Sequence, residues 1–293
     1  MIDQFCTLPS GRRLCYRVYG DGVPLVLVAG ITLQLHSWPK PFLDALAEKG
    51  FQPIVFDNRD VGQSGRVDQA PPTLWQLALR NIPQGSYTLD DMAQDTFGLM
   101  DHLGLDHAHI VGMSMGGMIA QTMAIENANR VTTLTSIFSS TGATNVGQPT
   151  AQMKLRLSLP MPKTLDGAVK RFLSNLKYWQ GRGYAANPKH WEGYVREASR
   201  RSSGDPRGAL LRQAAAIIGS GDRTAALEAV TAPTLVIHGD RDPVVAPSGG
   251  KATAAAIPNA RLEIIQGMGH DLADGLAEKL SDLVSSHAAY FAR

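Results

Sequence analysis

The sequence predicts an α/β fold: a doubly wound, mostly parallel sheet interrupted by a large helical insertion. Three observations predict it. Short apolar runs alternate with stretches of helical periodicity over most of the 293 residues. Several runs, "VPLVLVAG" among them, are apolar at successive positions, as in strands buried on both faces. Some ninety residues, from about Ser140 to Pro233, separate two strand patterns, far more than a crossover needs.

The chain opens with a hairpin around "PSGR". A tight turn there sets Cys6 opposite Cys15, so a cross-strand disulfide is conceivable; two free thiols in a reducing compartment is the preferred reading. "VPLVLVAG" is then a strand, "PKPFLDALAEKG" a helix closed by Gly50, and "FQPIVFD" a strand leading into the glycine-rich turn "NRDVGQSG". A long loop, "APPTLWQLALRNIPQGSY", carries Trp75. "LDDMAQDTFGLMDHLGL" is a helix capped by Thr88 or Asp90. "AHIVG" and "MGGMIAQTMAIEN" form the next strand and helix, and "VTTLTSIFSS" a further strand. Beyond the insertion come "APTLVIHGD" (strand), "PSGGKATAAAIPN" (helix), "ARLEIIQG" (strand) and a terminal helix over residues 272–291. The expected division is a core of residues 1–144 and 231–293 with a helical cap over 145–230.

Fourteen Lys and Arg face six Asp and Glu in 145–230, leaving the insertion near +8 and the remainder near −6. Most of that charge belongs on solvated helix faces; attraction for anionic substrates is the sharper alternative. The overall net charge of +2 gives no reason to expect a nucleic-acid partner. The amino terminus has neither a basic start nor an apolar stretch of signal length, and no apolar run approaches the roughly 20 residues of a membrane span. The expectation is a cytoplasmic protein with no membrane partner. Nothing in the sequence bears on oligomeric state.

Ser114 lies between a buried strand and a helix, with Gly112, Gly116 and Gly117 around it. The G-x-S-x-G spacing suits a strained strand-to-helix turn that presents a serine nucleophile at the carboxyl edge of a sheet. A serine needs a base, and the base needs an orienting acid. His270, in "GMGHDLADG", follows a strand and a glycine turn and is the candidate base. His36 is a distant second, able to line a pocket. His102, His107 and His109 sit at element ends and suggest packing rather than a metal site. His238 suggests packing too. The acid comes from "HGDRDPVVAP": Asp242, fixed by Pro243, is preferred over Asp240, which can serve the loop's own amides. Asp271 reads as a cap for the terminal helix.

The order Ser114, Asp242, His270 resembles the α/β-hydrolase superfamily, whose triad runs Ser…Asp…His through a serine elbow. The resemblance covers nearly the whole chain, with the insertion in the place of that family's cap. "HSWPKPF" and "DNRDVGQSG" look like the aclacinomycin methylesterase branch of carboxylic ester hydrolases. The resemblance implies an oxyanion hole made by the backbone N–H groups of Ile31 and Met115. It implies a serine esterase acting on a small-molecule ester, with no metal or organic cofactor. Two departures stand out: Ala29-Gly30 where many members have His-Gly, and Asp60 where glycine is common. Asp57 and Arg59 are expected to brace the turn beneath the oxyanion loop.

Within the fold, a carbon–carbon bond hydrolase often has asparagine where Met113 stands, and a proline aminopeptidase needs a carboxylate cluster. A cofactor-free perhydrolase would use the same triad. Epoxide hydrolases and haloalkane dehalogenases need aspartate in place of Ser114. A ligand-binding module without turnover has no need of all three groups. For the substrate pocket, Met115 and Met268 are expected to edge the site, Met118 to fill core. Trp179, Tyr184, Trp191 and Tyr194 are available from the insertion, and Trp75 at the entrance. A covered apolar cleft for short-to-medium acyl esters follows.

Overall fold

The computed structural model describes residues 2–202 and 204–291. Eight strands form one sheet: β1 (Gln4–Thr7), β2 (Arg13–Val18), β3 (Val23–Val28), β4 (Phe51–Phe56), β5 (Ala108–Met113), β6 (Val131–Ile137), β7 (Thr234–Gly239) and β8 (Arg261–Ile265). Their order across the sheet is β1-β2-β4-β3-β5-β6-β7-β8. The β1–β2 and β2–β4 pairs are antiparallel; every pair from β4 to β8 is parallel.

Helices α1 (Lys40–Glu48), α2 (Leu74–Ala78), α3 (Leu89–His102) and α4 (Met115–Glu126) precede β6. Between β6 and β7 come α5 (Ala151–Ser158), α6 (Leu165–Trp179), α7 (Pro188–Arg201), α8 (Pro206–Ser220) and α9 (Thr224–Leu227). α10 (Ser248–Ala256) follows β7, and α11 (Ala277–Tyr290) follows β8. No helix among the described residues is long and apolar enough to cross a membrane.

The pleat sends successive side chains of β3 to opposite faces. Val26 and Val28 pack with Ile110, Leu134 and the methionines of α4; Leu25 and Leu27 pack with Val55, Val111 and the apolar faces of α1 and α11. Residues 25–28 are all fully buried, each worth roughly 1.5–3 kcal/mol of transfer free energy. That burial on both faces explains the unbroken apolar run. The chain moves from β3 outward to β4, then returns to place β5 on β3's other side, with Val28 level with Gly112. Ligand sites in open parallel sheets form where the winding reverses in this way, outside the carboxyl ends of the strands.

Several elements depart from the sequence expectation. The opening hairpin pairs Cys6 with Leu14 and Phe5 with Cys15. This one-residue difference in register sends the two thiols to opposite faces of the sheet, so both are free and buried. The loop around Trp75 contains α2, opened by a capping box of Thr73 and Gln76. Thr88, not Asp90, caps α3, its hydroxyl accepting the Asp91 N–H. The terminal helix begins at Ala277 after a short 3-10 turn, and Asp271 caps nothing: its Oδ2 is buried without a hydrogen-bond partner. The helices after β6 also divide their allegiance. α6 and α7 pair around Leu176, Trp191 and Tyr194, whereas α8 rests on α2 and α3, and α9 on α4 and α10.

Candidate active site

Ser114 stands at the junction of β5 and α4 with φ 55° and ψ −120°, a conformation L-residues rarely adopt. The chain holds it there from several sides. Its N–H donates to the Ile137 carbonyl at 2.9 Å, and its own carbonyl accepts from Ser139 Oγ at 2.8 Å. The flanking glycines are steric requirements: a Cβ on Gly112 would lie 2.1 Å from the Gly116 oxygen, and one on Gly116 2.0 Å from the Val28 oxygen. Strand and helix thus approach more closely than any other residue permits.

His270 Nε2 lies 3.0 Å from Ser114 Oγ, and His270 Nδ1 2.7 Å from Asp242 Oδ2. With the proton on Nδ1, the histidine donates to Asp242 and accepts from the serine hydroxyl. The loop bearing His270 is stitched to the end of α6: His270 N–H donates to the Trp179 carbonyl at 2.7 Å and Gly269 N–H to that of Gln180 at 3.1 Å. The Phe138 ring covers the imidazole at a centroid separation of 4.4 Å.

Asp242 is fully sequestered. Burial alone would raise its carboxyl, yet the neighbouring His270 and His238 bring it below the ordinary carboxylate value. Oδ1 also accepts the N–H groups of Val244 and Val245, at 2.8 and 2.9 Å. Asp240 is engaged elsewhere, accepting the Gly267 N–H at 2.6 Å. The structure therefore brings Ser114, His270 and Asp242 together and leaves Asp240 aside. His238, absent from the sequence reading of the site, lies beneath it, with Nε2 2.8 Å from the Val245 carbonyl and 3.4 Å from Asp242 Oδ2. No spacing rule distinguishes such a histidine from ordinary core.

Met115 is the first residue of α4, where an N–H has no acceptor within the helix. Ile31 follows Gly30, and a Cβ on Gly30 would lie 3.3 Å from Ser114 Cβ. Both candidate oxyanion donors thus flank the nucleophile. Asp57 underlies the loop after Ile31, accepting the Leu35 N–H at 2.7 Å and pairing with Arg201 of α7 at 2.7 Å. Arg59 reaches α3 through Asp95 at 2.6 Å. Asp60 adopts the left-handed conformation (φ 70°) in the place where glycine is common, and is held there by Tyr87 at 2.9 Å and Arg212 of α8 at 2.8 Å.

A cavity of about 440 Å³ lies between residues 32–34, residues 60–62 and helices α6, α7 and α8. Leu165, Phe172, Tyr194, Val195 and Leu210 make its wall largely apolar, with Lys163 a cation on it. Ser114 and His270 do not line it. Leu33 stands between: it lines the cavity, and its Cδ1 is 3.3 Å from the same Gly30 Cβ position that Ser114 Cβ approaches.

The expected pocket residues fare unevenly. Met115 and Met268 are buried in the two sheet-flanking cores, 1% and 0% exposed, because packing against the sheet turns them away from the cavity. Met118 fills core, as expected. Trp191 is consumed by the α6–α7 contact, tilted against Phe172 and edge-on to Tyr194. Trp179 packs edge-on against Phe172 and serves the His270 loop through its carbonyl, away from the cavity wall. Trp75 is 77% exposed on α2, also off the cavity. His36 bonds the Tyr194 carbonyl, and burial lowers it to about 4. His109 is occupied by Thr133, His102 by Tyr16.

A serine elbow at the winding reversal of such a sheet, followed by acid and histidine loops, defines a class. The family model of the alpha/beta hydrolase fold matches residues 23–274, and the chain belongs to that family. More particularly, it is 29% identical over 284 residues to rhodomycin D methylesterase DauP of Streptomyces sp. strain C5, covering 90% of each chain. It is 27% identical to rhodomycin D methylesterase DnrP of Streptomyces peucetius, again over 90% of each. Among solved structures, the enol-lactonase of Burkholderia xenovorans LB400 superposes with a TM-score of 0.73 at 22% identity, over 98% of this chain and 100% of that one. This last likeness is one of fold.

Proposed function

We propose that this hydrolase cleaves carboxylic esters through an acyl-enzyme on Ser114. The observation that carries the reading is the unbroken relay from Ser114 Oγ through His270 to Asp242, at 3.0 and 2.7 Å. His270 takes the hydroxyl proton as Ser114 attacks the ester carbonyl; the resulting imidazolium gives it to the departing alcohol. Water, deprotonated by the same nitrogen, then releases the acid. Asp242 keeps the proton on Nδ1 and stabilises the imidazolium without being protonated itself. The N–H groups of Ile31 and Met115 receive the oxyanion, each worth about 3 kcal/mol of barrier.

The substrate is a small ester: a short-to-medium acyl group, or a methyl or alkyl ester of a compact acid. The apolar cavity beside Leu33 supports this, and so does the likeness to two methylesterases. Residues 145–230 act as the cap, with Leu33, Phe172 and Tyr194 in place of Met268, Trp179 and Trp191 as lining. The test pairs a p-nitrophenyl ester chain-length series with fluorophosphonate labelling read by mass spectrometry. Expected are label on Ser114 alone and a kcat/KM maximum at short-to-medium chains. Label on another residue overturns the nucleophile; rising kcat/KM to long chains, or activation at an oil–water interface, overturns the covered cleft.

A further inference from the structure

The turn that carries the Ile31 N–H belongs to no strand or helix, yet its backbone is held at four successive positions. Leu33 N–H donates to the Gly30 carbonyl at 3.1 Å and Leu35 N–H to Asp57 at 2.7 Å. The other two go to helices that follow β6: Gln34 N–H to the Tyr194 hydroxyl of α7 at 3.1 Å, and Thr32 N–H to Gln213 Oε1 of α8 at 2.7 Å. The Thr32 bond is the critical one. Thr32 has φ 57°, a strained conformation for a β-branched residue, and lies directly after the proposed donor.

Gln213 is fully buried and uses both ends of its amide. Its Oε1 accepts from Thr32 while its Nε2 donates to the Arg59 carbonyl at 3.0 Å, so the two partners fix the amide's orientation. The residue before it, Arg212, grips Asp60 with two nitrogens at 2.8 and 3.1 Å. Two adjacent residues of α8 therefore clamp the oxyanion turn to the glycine-rich turn behind it. A buried N–H stripped of its acceptor is costly, so the bond from Gln213 favours the strained Thr32 conformation.

We propose that Gln213 is a positioning residue for the oxyanion hole: by fixing the peptide that follows Ile31, it restricts rotation about the Ile31 Cα and so steadies the preceding Gly30–Ile31 peptide, which carries the Ile31 N–H and whose carbonyl accepts from Leu33. The inference rests on the acyl-transfer reading above. It makes α8 a part of the catalytic geometry, 99 residues along the chain from the nucleophile.

The test compares wild type, Q213M and Q213E. Methionine matches the length but offers the Thr32 N–H no oxygen; glutamate, kept protonated by burial opposite the Arg59 carbonyl, retains that acceptor and donates an O–H in place of Nε2. On p-nitrophenyl butyrate, Q213M is expected to lower kcat by about 30–300-fold, somewhat less than the roughly 100–1,000-fold seen when an oxyanion donor is lost outright. KM should stay within about threefold, and the midpoint of the pH–rate profile should not move. Phosphonylation of Ser114 should slow in parallel, since its developing oxyanion needs the same donors. Q213E should recover to within about tenfold of wild type.

A folded Q213M with kcat and labelling rate within threefold of wild type overturns the proposal. So does a loss confined to KM, or a Q213E as impaired as Q213M. Should Q213M not fold, Q213N, one methylene too short to span both partners, takes its place against the same criteria. A wild type that labels but turns over no ester defeats the esterase reading alone, and the labelling rates still decide Gln213. A wild type that does not label defeats both.

Discussion

The wall of the site that carries Ser114, His270 and Asp242 is made of strand ends. The wall that carries Ile31 is an irregular turn held by side chains from distant helices. On the first, backbone does nearly all the holding: Ser114 hangs from the Ile137 carbonyl, His270 from that of Trp179, Asp242 from two amides of its own loop. On the second, Gln213, Tyr194 and Arg201 each reach in from beyond β6. Backbone ladders are local and tolerate surface change. Buried polar side chains depend on every partner being present, and a half-satisfied network is worse than none. The side carrying Ser114 and Asp242 should therefore withstand damage to these helices, and the turn carrying Ile31 should not; His270, tied to the end of α6, stands between the two.

The largest expected effect breaks the first wall chemically without touching its scaffold. Ser114→Ala should cut kcat for ester hydrolysis by about 10⁵–10⁶ while leaving the melting temperature close to wild type. Residual turnover well above that level would place the nucleophile elsewhere. Next, Asp242→Asn should cost on the order of 10⁴ in kcat by favouring the wrong histidine tautomer. Asp240→Asn, whose carboxylate serves Gly267, should cost less than about tenfold; the opposite ranking would make Asp240 the acid.

The third prediction addresses the second wall through stability. Arg201→Met leaves Asp57 buried and unpaired, so urea unfolding should show a loss of about 3–5 kcal/mol. Adding Asp57→Asn should restore part of it, a non-additivity that a mere packing defect lacks.

The smallest effect probes a flaw on the first wall. Burial raises the Asp271 carboxyl to about 7, well above its ordinary 3.8. The unfolded chain releases that proton above about pH 4, while the folded chain keeps it to about 7. The group's contribution to stability is thus complete below pH 4 and lost as pH rises to 7. Asp271→Asn should gain on wild type across that window, by on the order of 2–4 kcal/mol at pH 8 and nothing at pH 4, at about 1.4 kcal/mol per pK unit. Melting temperatures at both pH values read it; an equal difference at both would mean the carboxylate is ionised in the fold.

The same contrast separates what was legible in the sequence from what was not. The alternation of strands and helices, Ser114 among the elbow glycines, His270 and Asp242 rest on local pattern, and the structure brings those three side chains together. Local pattern also held the clue to α2, since "TLWQ" is a capping box ahead of an apolar stretch. The cysteine register turned on one residue of hairpin geometry, beyond what spacing fixes. Met268, Trp179 and Trp191 do not line the cavity beside Leu33, because residue type says nothing of which neighbour claims a side chain first. Gln213 and His238 had no signal at all: a glutamine on an alanine-rich helix and a histidine on an apolar strand look like filler until their partners arrive from elsewhere in the chain.

Asp3, near the start of the chain, accepts from Arg17 at 2.7 Å and Gln63 at 2.9 Å, and also holds Arg201 at the end of α7. The stretch before β1 is thereby sewn into the seam between the sheet and α7. Any change that displaces Asp3 would pull on the far end of a helix almost two hundred residues later, and the harm would surface as a poor enzyme rather than as an unfolded one.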